Sequence, residues 1–227
     1  MSLQLKFVEA IPDEAASMLD DRSIHLWRIP YASSQRRSPF VALLAGYLGV
    51  PGSDVALGED ARGKPYLVNA AGVRGDGAAL EFNWSHSGDR ALIAMSRHGA
   101  VGVDIERLGK NLRAIEIARR FFDSGEADVL AALDPDRRDH AFIGLWCAKE
   151  AVLKAAGEGL SFGLARLAFT HVAEADWDLV ATDPALGAAQ DWRISGFDPA
   201  PGYRGCLAWR GVDCRIQAFQ PPAMAPG

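Results

Sequence analysis

Two segments constrain this chain more than anything else in it: Val101-Gly102-Val103-Asp104-Ile105-Glu106, and Trp146-Cys147-Ala148-Lys149-Glu150-Ala151-Val152-Leu153-Lys154-Ala155-Ala156-Gly157. The first is small, apolar and β-branched up to its acids, and reads as a strand. Side chains alternate across a strand, so Asp104 and Glu106 share one face and Ile105 takes the other. The second segment, with Phe142, Leu145, Ala148, Val152 and Ala155 at helical spacing, reads as a helix with one buried stripe. Trp146, Glu150 and Lys154 follow one another along a neighbouring edge, which makes Glu150 and Lys154 surface neighbours.

Together the segments offer three carboxylates and two lysines on rigid elements. Two acids on one face of a half-apolar strand repel each other, and a cation between them removes that cost. Mg²⁺ is hard, prefers carboxylate and water oxygens, and completes its octahedron with substrate phosphates. Each piece also has an ordinary reading. Asp-x-Glu can be a strand emerging into solvent, and Glu150 with Lys154 can be an intrahelical ion pair worth roughly a few tenths of a kcal/mol. The combination points to a site.

A third segment, Phe82-Asn83-Trp84-Ser85-His86-Ser87-Gly88-Asp89, is polar and turn-forming. The apolar run Ala91 to Met95, the Arg97-His98-Gly99 turn and the acid strand look like a β-hairpin. That pairing would put His86 at the hairpin's open end, the same end as Asp104 and Glu106. A lone His is more often a structural residue, but this one lies between two small hydroxyls.

Gly63-Lys64-Pro65, Phe82-Asn83-Trp84-Ser85-His86-Ser87, Gly102-Val103-Asp104-Ile105-Glu106 and Trp146-Cys147-Ala148-Lys149-Glu150-Ala151-Val152-Leu153-Lys154 occur in this order. Ile117 to Phe122, Gly159-Leu160-Ser161, Asp198-Pro199 and Gly202-Tyr203 accompany them. The set, over roughly residues 36 to 210, resembles the 4′-phosphopantetheinyl transferase superfamily, closest to its surfactin-synthetase-activating type. The resemblance implies transfer of the phosphopantetheine arm of coenzyme A to a serine of an apo carrier protein, with adenosine 3′,5′-bisphosphate leaving. Asp104, Glu106 and Glu150 match the metal-binding acids, for Mg²⁺ with Mn²⁺ as a substitute. Lys154 matches a lysine that steadies the phosphate and the leaving group. Glu150, or a metal-bound water beside it, is the candidate base, and His86 joins the catalytic set. His86 and Ser85 match positions that touch the phosphates of coenzyme A. Arg37, Ser38, Lys64 and Lys149 complete the expected coenzyme A contacts. Phosphoryl transfer asks for positioning and charge neutralisation more than for covalent help, which agrees with the inventory.

The resemblance also implies an α+β fold of two similar α/β halves related by a pseudo-two-fold axis, with the active site in the cleft between them. The expected division is 1–108, 109–220 and a tail, 221–227, without fixed structure. Ser38 to Leu48 would be the long helix of the first half and Phe142 to Ala156 that of the second. A weak internal likeness supports a repeat: Gly88 to Met95 matches Gly202 to Trp209 at an offset of 114 residues, with Gly, Arg and Ala in register.

Composition sets outer bounds. Among 227 residues, 49% are apolar, ample for a core, and the net charge is −5 (24 − 29). No general attraction to nucleic acid is expected. An acidic carrier, from fatty-acid, polyketide or non-ribosomal peptide synthesis, would need a local basic patch. Lys110, Arg113, Arg119 and Arg120, with Phe121 and Phe122, are its candidates. Three cysteines without metal-like spacing, no secretory segment and no transmembrane run suggest a cytoplasmic protein with no membrane partner, and the two halves that the resemblance implies, forming the cleft within one chain, imply a monomer. Two rivals use the same residues: another Mg²⁺-dependent phosphotransferase or hydrolase, and an inactive carrier-binding module.

Overall fold

The computed structural model describes residues 3–68, 80–109, 113–174 and 177–223. In chain order the regular elements are β1 (Val8–Glu9), α1 (Pro12–Ala16), β2 (Ser23–Pro30), α2 (Ser38–Leu48), β3 (Leu57–Glu59), β4 (Pro65–Leu67), β5 (Glu81–Ser87) and β6 (Arg90–Ser96). They continue with β7 (Val101–Arg107), α3 (Ala114–Phe121), α4 (Ser124–Ala132), α5 (Pro135–Ala156), β8 (Leu167–Thr170), β9 (Asp178–Thr182), β10 (Trp192–Phe197), β11 (Tyr203–Arg210) and β12 (Arg215–Gln220). Short 3₁₀ turns link several of them. The fold is α+β, as expected.

The chain forms two compact units. One is Lys6–Ala100 with Asp213–Gly227, and the other is Met1–Leu5 with Val101–Val212. The first carries a five-stranded sheet of order β1-β12-β2-β6-β5 and the pair β3-β4; the second carries β10-β11-β7 and the pair β8-β9. Both triplets, β2-β6-β5 and β7-β11-β10, are antiparallel throughout. In each unit the order along the chain is also the same: outer strand, long helix, small strand pair, other outer strand, central strand. The eight-residue likeness falls on the two central strands, β6 and β11. Gly88 and Gly202, which open it, both have positive φ, 58° and 77°, where glycine carries no Cβ penalty.

The expected hairpin between β6 and β7 does not form. β6 is hydrogen-bonded to β2 on one side and β5 on the other, so it has no free edge. β7 pairs with β11 instead, and the reason for placing His86 level with Asp104 goes with the hairpin. β7 was expected at the end of a first half closing at 108. It packs in the unit of α5, because its ladder bonds go to β11 and its face lies under the helix.

Local chemistry explains the helices. α2 spans Ser38–Leu48 as read from the sequence, with Pro39 in its first turn and Gly49 at φ 65° closing it. α5 begins at Pro135, seven residues before the expected start, because its first two turns are polar and give no apolar period. Gly157, at φ 75°, ends it, its N–H bonding to the Leu153 and Lys154 carbonyls. Phe142, Leu145, Ala148, Val152 and Ala155 are buried as expected. The core of this unit is built on α5 with α3, α4, β8 and β11, and that of the other on α2 with β2, β5 and β6. Of the tail, residues 224–227 lie outside the described residues, as does 69–79, most of the Ala70 to Leu80 loop.

Gly102 sets how close α5 comes to β7. A Cβ there would stand 1.9 Å from the Ala151 carbonyl oxygen and 2.6 Å from the Ala155 nitrogen, both backbone atoms. Gly102→Val should therefore force the helix off the strand and cost at least about 1–3 kcal/mol, read as a lower Tm. An unchanged Tm would mean that helix and strand can separate freely.

Candidate active site

Asp104 sits on β7 with its side chain 6% exposed, and the alternation of the strand puts partly buried Glu106 on the same face. α5 lies against that face. Lys154 Nζ donates to Asp104 Oδ1 at 2.7 Å and to the Val103 carbonyl at 3.3 Å. Glu150 stands one turn earlier on the helix. Beneath them are two buried thiols, Cys147 of α5 and Cys206, the cross-strand partner of Asp104. Burial, aided by Asp104, holds the Cys147 thiol well above its ordinary range; burial pushes Cys206 up to about 12. Both are apolar floor, not reactive groups.

The electrostatics follow. Burial and then the Asp104 and Glu106 charges push Glu150 up to about 7, against the pull of Lys154. Burial opposes the Lys154 ammonium, but Asp104 and Glu150 outweigh it and its pKa is raised. The chain thus brings Asp104, Glu106, Glu150 and Lys154 into one electrostatic cluster. Among the described residues, no group of three or more His, Cys, Asp or Glu side chains is placed to hold a metal ion as they stand. The donor set still fits a hard cation in chemistry: three carboxylates whose repulsion such an ion relieves. Mg²⁺ commonly takes few protein ligands and completes its shell with water and phosphate.

Lys149, expected to contact coenzyme A, does not belong to this cluster. Its side chain is fully buried; Nζ bonds to Glu126 at 2.8 Å, to the Leu164 carbonyl at 3.0 Å and to the Leu167 carbonyl. Its three donors are all used inside the core. The signal was in the spacing, since Lys149 stands four residues after Leu145 and three before Val152, on the buried stripe.

In the other unit, a groove of about 1030 Å³ is lined by Tyr31, Ser33, Arg36, Arg37, Ser38, the first turns of α2, Trp84 and His86. His86 stacks on Tyr31 with ring centroids 4.5 Å apart, and Trp84 lies 5.3 Å from His86. Arg37 forms an ion pair with Glu59. Arg36 has φ 49°, a strained value for a residue with a Cβ, at the groove's rim. The expected Arg37, Ser38 and His86 are thus gathered in one groove. Ser85 points from the opposite face of β5, and Lys64, in the β3–β4 turn with its N–H on Asp60, does not line the groove. Sequence reading missed the aromatic wall, although Phe82-x-Trp84-x-His86 has the period of one strand face.

Of the basic segment, Lys110 lies outside the described residues. Arg113 pairs with Glu116 at 3.3 Å. Arg119, Arg120 and Phe121 are exposed at the end of α3, while Phe122 is buried.

Glu150 gives a pH signature. Between about 4.5 and 7 the folded chain holds a proton there that the unfolded chain releases, so stability falls as pH rises through that window. Glu150→Gln removes the effect. In chelator near pH 8 its Tm should exceed the parent's, by on the order of 2–3 kcal/mol of stability, and the gap should close toward pH 4.5. Equal melting at pH 8 would show that Asp104 and Glu106 do not press on Glu150.

The sequence profile of the 4′-phosphopantetheinyl transferase superfamily matches residues 100–196, which include β7 and α5. The chain is 33% identical over 209 residues to the 4′-phosphopantetheinyl transferase HetI of Nostoc sp. (strain PCC 7120), covering 88% of this chain and 82% of that one. It is 35% identical over 112 residues to Sfp of Bacillus subtilis (strain 168), covering 49% and 46%. It is 38% identical over 113 residues to AcpT of Salmonella typhi, covering 50% of each. The chain therefore spans about half the length of these last two and most of the first. On this evidence of sequence and site, the chain belongs to the 4′-phosphopantetheinyl transferase superfamily.

Proposed function

We propose that this chain transfers the 4′-phosphopantetheine arm of coenzyme A to a serine hydroxyl of an apo carrier protein of fatty-acid, polyketide or non-ribosomal peptide synthesis. Adenosine 3′,5′-bisphosphate leaves, and the chain works as a Mg²⁺-dependent monomer. The observation that carries the reading is the coupling of Asp104, Glu106, Glu150 and Lys154 on one strand and one helix, in a member of this superfamily.

Asp104, Glu106 and Glu150 are the residues that would hold Mg²⁺, which when bound supplies charge neutralisation to the diphosphate. Without a cation Glu150 ionises near 7; a cation on the three acids would lower that value and leave a carboxylate able to accept the serine proton. As the serine oxygen bonds to phosphorus, the phosphoanhydride bond breaks and negative charge collects on the departing bisphosphate. Lys154, held beside Asp104, faces that charge. In the groove, Arg36, Arg37 and the uncapped start of α2 favour a phosphate group. Tyr31 and Trp84 offer flat apolar walls to a base.

Incubated with coenzyme A and Mg²⁺, an apo carrier protein should gain the mass of one phosphopantetheine arm. Chelator should stop the reaction. Asp104→Ala and Glu150→Gln should each lose at least about a hundredfold in kcat while melting cooperatively. Coenzyme A breakdown without carrier labelling would instead favour the hydrolase reading.

The groove has its own test. Arg36→Gln combined with Arg37→Gln should raise KM for coenzyme A and leave KM for the carrier in place. With dephospho-coenzyme A, which lacks the 3′-phosphate, variant and parent should behave alike. A difference that persists with dephospho-coenzyme A would remove the 3′-phosphate from this groove.

A further inference from the structure

The buried ion pair between Lys149 and Glu126 is the largest polar structure that the reaction leaves unused. Lys149 is 0% and Glu126 2% exposed in their side chains. Each partner is fully engaged. Lys149 bonds to Glu126 Oε2 and to the Leu164 and Leu167 carbonyls. Glu126 Oε1 accepts from the Phe169 N–H at 2.8 Å, and Oε2 from the Asp123 N–H at 3.1 Å. Four chain segments meet at this one junction: α5, the turn before α4, α4 itself, and residues 164–169. An apolar contact could bury as much area, but it could not set the register of four backbone segments against one another.

The junction also reaches the surface. Phe122 lies over Lys149 Nζ, 5.0 Å from ring centroid to nitrogen, and stacks on Phe142 of α5 at 5.3 Å. Its neighbour Phe121 is 44% exposed, with Arg120 over its ring at 5.0 Å, and Arg119 is exposed beside them. The corner between α3 and α4 thus shows a basic, aromatic patch to solvent and is pinned from beneath by Lys149. The next residue on α5 is Glu150.

We propose that the Lys149–Glu126 pair is a positioning element: it fixes the α3–α4 corner, with Arg119, Arg120 and Phe121, at the level of Glu150, and so sets affinity for the acidic carrier protein and not for coenzyme A. This rests on the transferase reading. Basic and aromatic groups on a rigid corner recognise an acidic surface only if they arrive together. The pair supplies that rigidity without touching either substrate.

The test separates stability from positioning. Glu126→Gln leaves the lysine charge buried without its counter-ion and should lower Tm. The double variant Glu126→Leu with Lys149→Met replaces the pair by apolar groups of similar volume, a change that is often neutral for stability. The double variant buries no lone charge and should regain part of the Tm lost in Glu126→Gln, short of the parent because the Asp123 and Phe169 N–H groups and the Leu164 and Leu167 carbonyls lose their partners. With a purified apo acyl carrier protein as substrate, its KM for the carrier should stay raised, roughly three- to thirtyfold, with KM for coenzyme A within about twofold of the parent. Hydrogen exchange should be faster in 119–126 and 164–169. A carrier KM that returns to the parent value as Tm recovers would overturn the proposal, and so would equal losses for both substrates. An inactive parent chain would sink the transferase reading itself, and this proposal with it.

Discussion

The rest of the catalytic unit depends on the contact of α5 with β7 at Gly102. Helix backbone occupies the space where any other residue would carry a Cβ. At that separation Lys154 reaches the Val103 carbonyl and the Asp104 carboxylate, and Glu150 comes under the influence of both acids of the strand. With Cys147 and Cys206 buried beneath, the carboxylates have little water to screen them. A longer side chain at 102 would part helix from strand and loosen both the burial and the repulsion that raise the Glu150 pKa.

What could be read from the sequence was local. The alternation in Asp104-Ile105-Glu106, the stripe from Phe142 to Ala155, and the helix from Ser38 to Leu48 all follow from the period of one element, and the structure shows them. What could not be read was the choice of partner. β6 and β7 are neighbours in sequence with a turn between them, yet β6 fills its edges with β2 and β5 while β7 pairs with β11, about a hundred residues on. Turn chemistry says that a chain reverses, not which sheet edge is vacant. Lys149 is a different case. Its place on the apolar stripe was visible, but a lysine beside Glu150 and near Lys154 invites a functional role. Its partner Glu126 stands 23 positions earlier, within Asp123-x-x-Glu126, a capping pair that gave the only local sign.

The two units share an antiparallel triplet of strands with a long helix, but set different side chains on it. Asp104 pairs across to Cys206 and Arg28 to Leu92, and Cys206 and Leu92 are 114 residues apart on the repeated central strands. The faces differ, however: Asp104 and Cys206 lie on the side of their sheet that meets α5, whereas Trp27, Ile29, Ala91 and Ile93 face α2 and leave Arg28 and Leu92 on the other side. Arg28 is half-buried over the Phe7 ring and bonds to Gln220 of β12, and burial lowers its pKa. A repeated scaffold can carry different chemistry on each copy, since the strand order fixes positions and leaves side chains open.

How α2 is held shows why the groove keeps its shape. Trp27 Nε1 donates to the Tyr47 hydroxyl at 2.8 Å, so that hydroxyl turns its own proton to His25 Nδ1, 2.6 Å away. His25 Nε2 then carries the proton and donates to Gln217 at 2.9 Å. Burial lowers the His25 pKa, which keeps this neutral chain of bonds in one arrangement at working pH. It joins β2, α2 and β12 through their side chains. Ser38, at the other end of the same helix, meets the groove, and Arg36, at φ 49°, lines it two residues earlier. The helix that opens beside the groove is thus tied at its other end, through Tyr47, to a buried histidine.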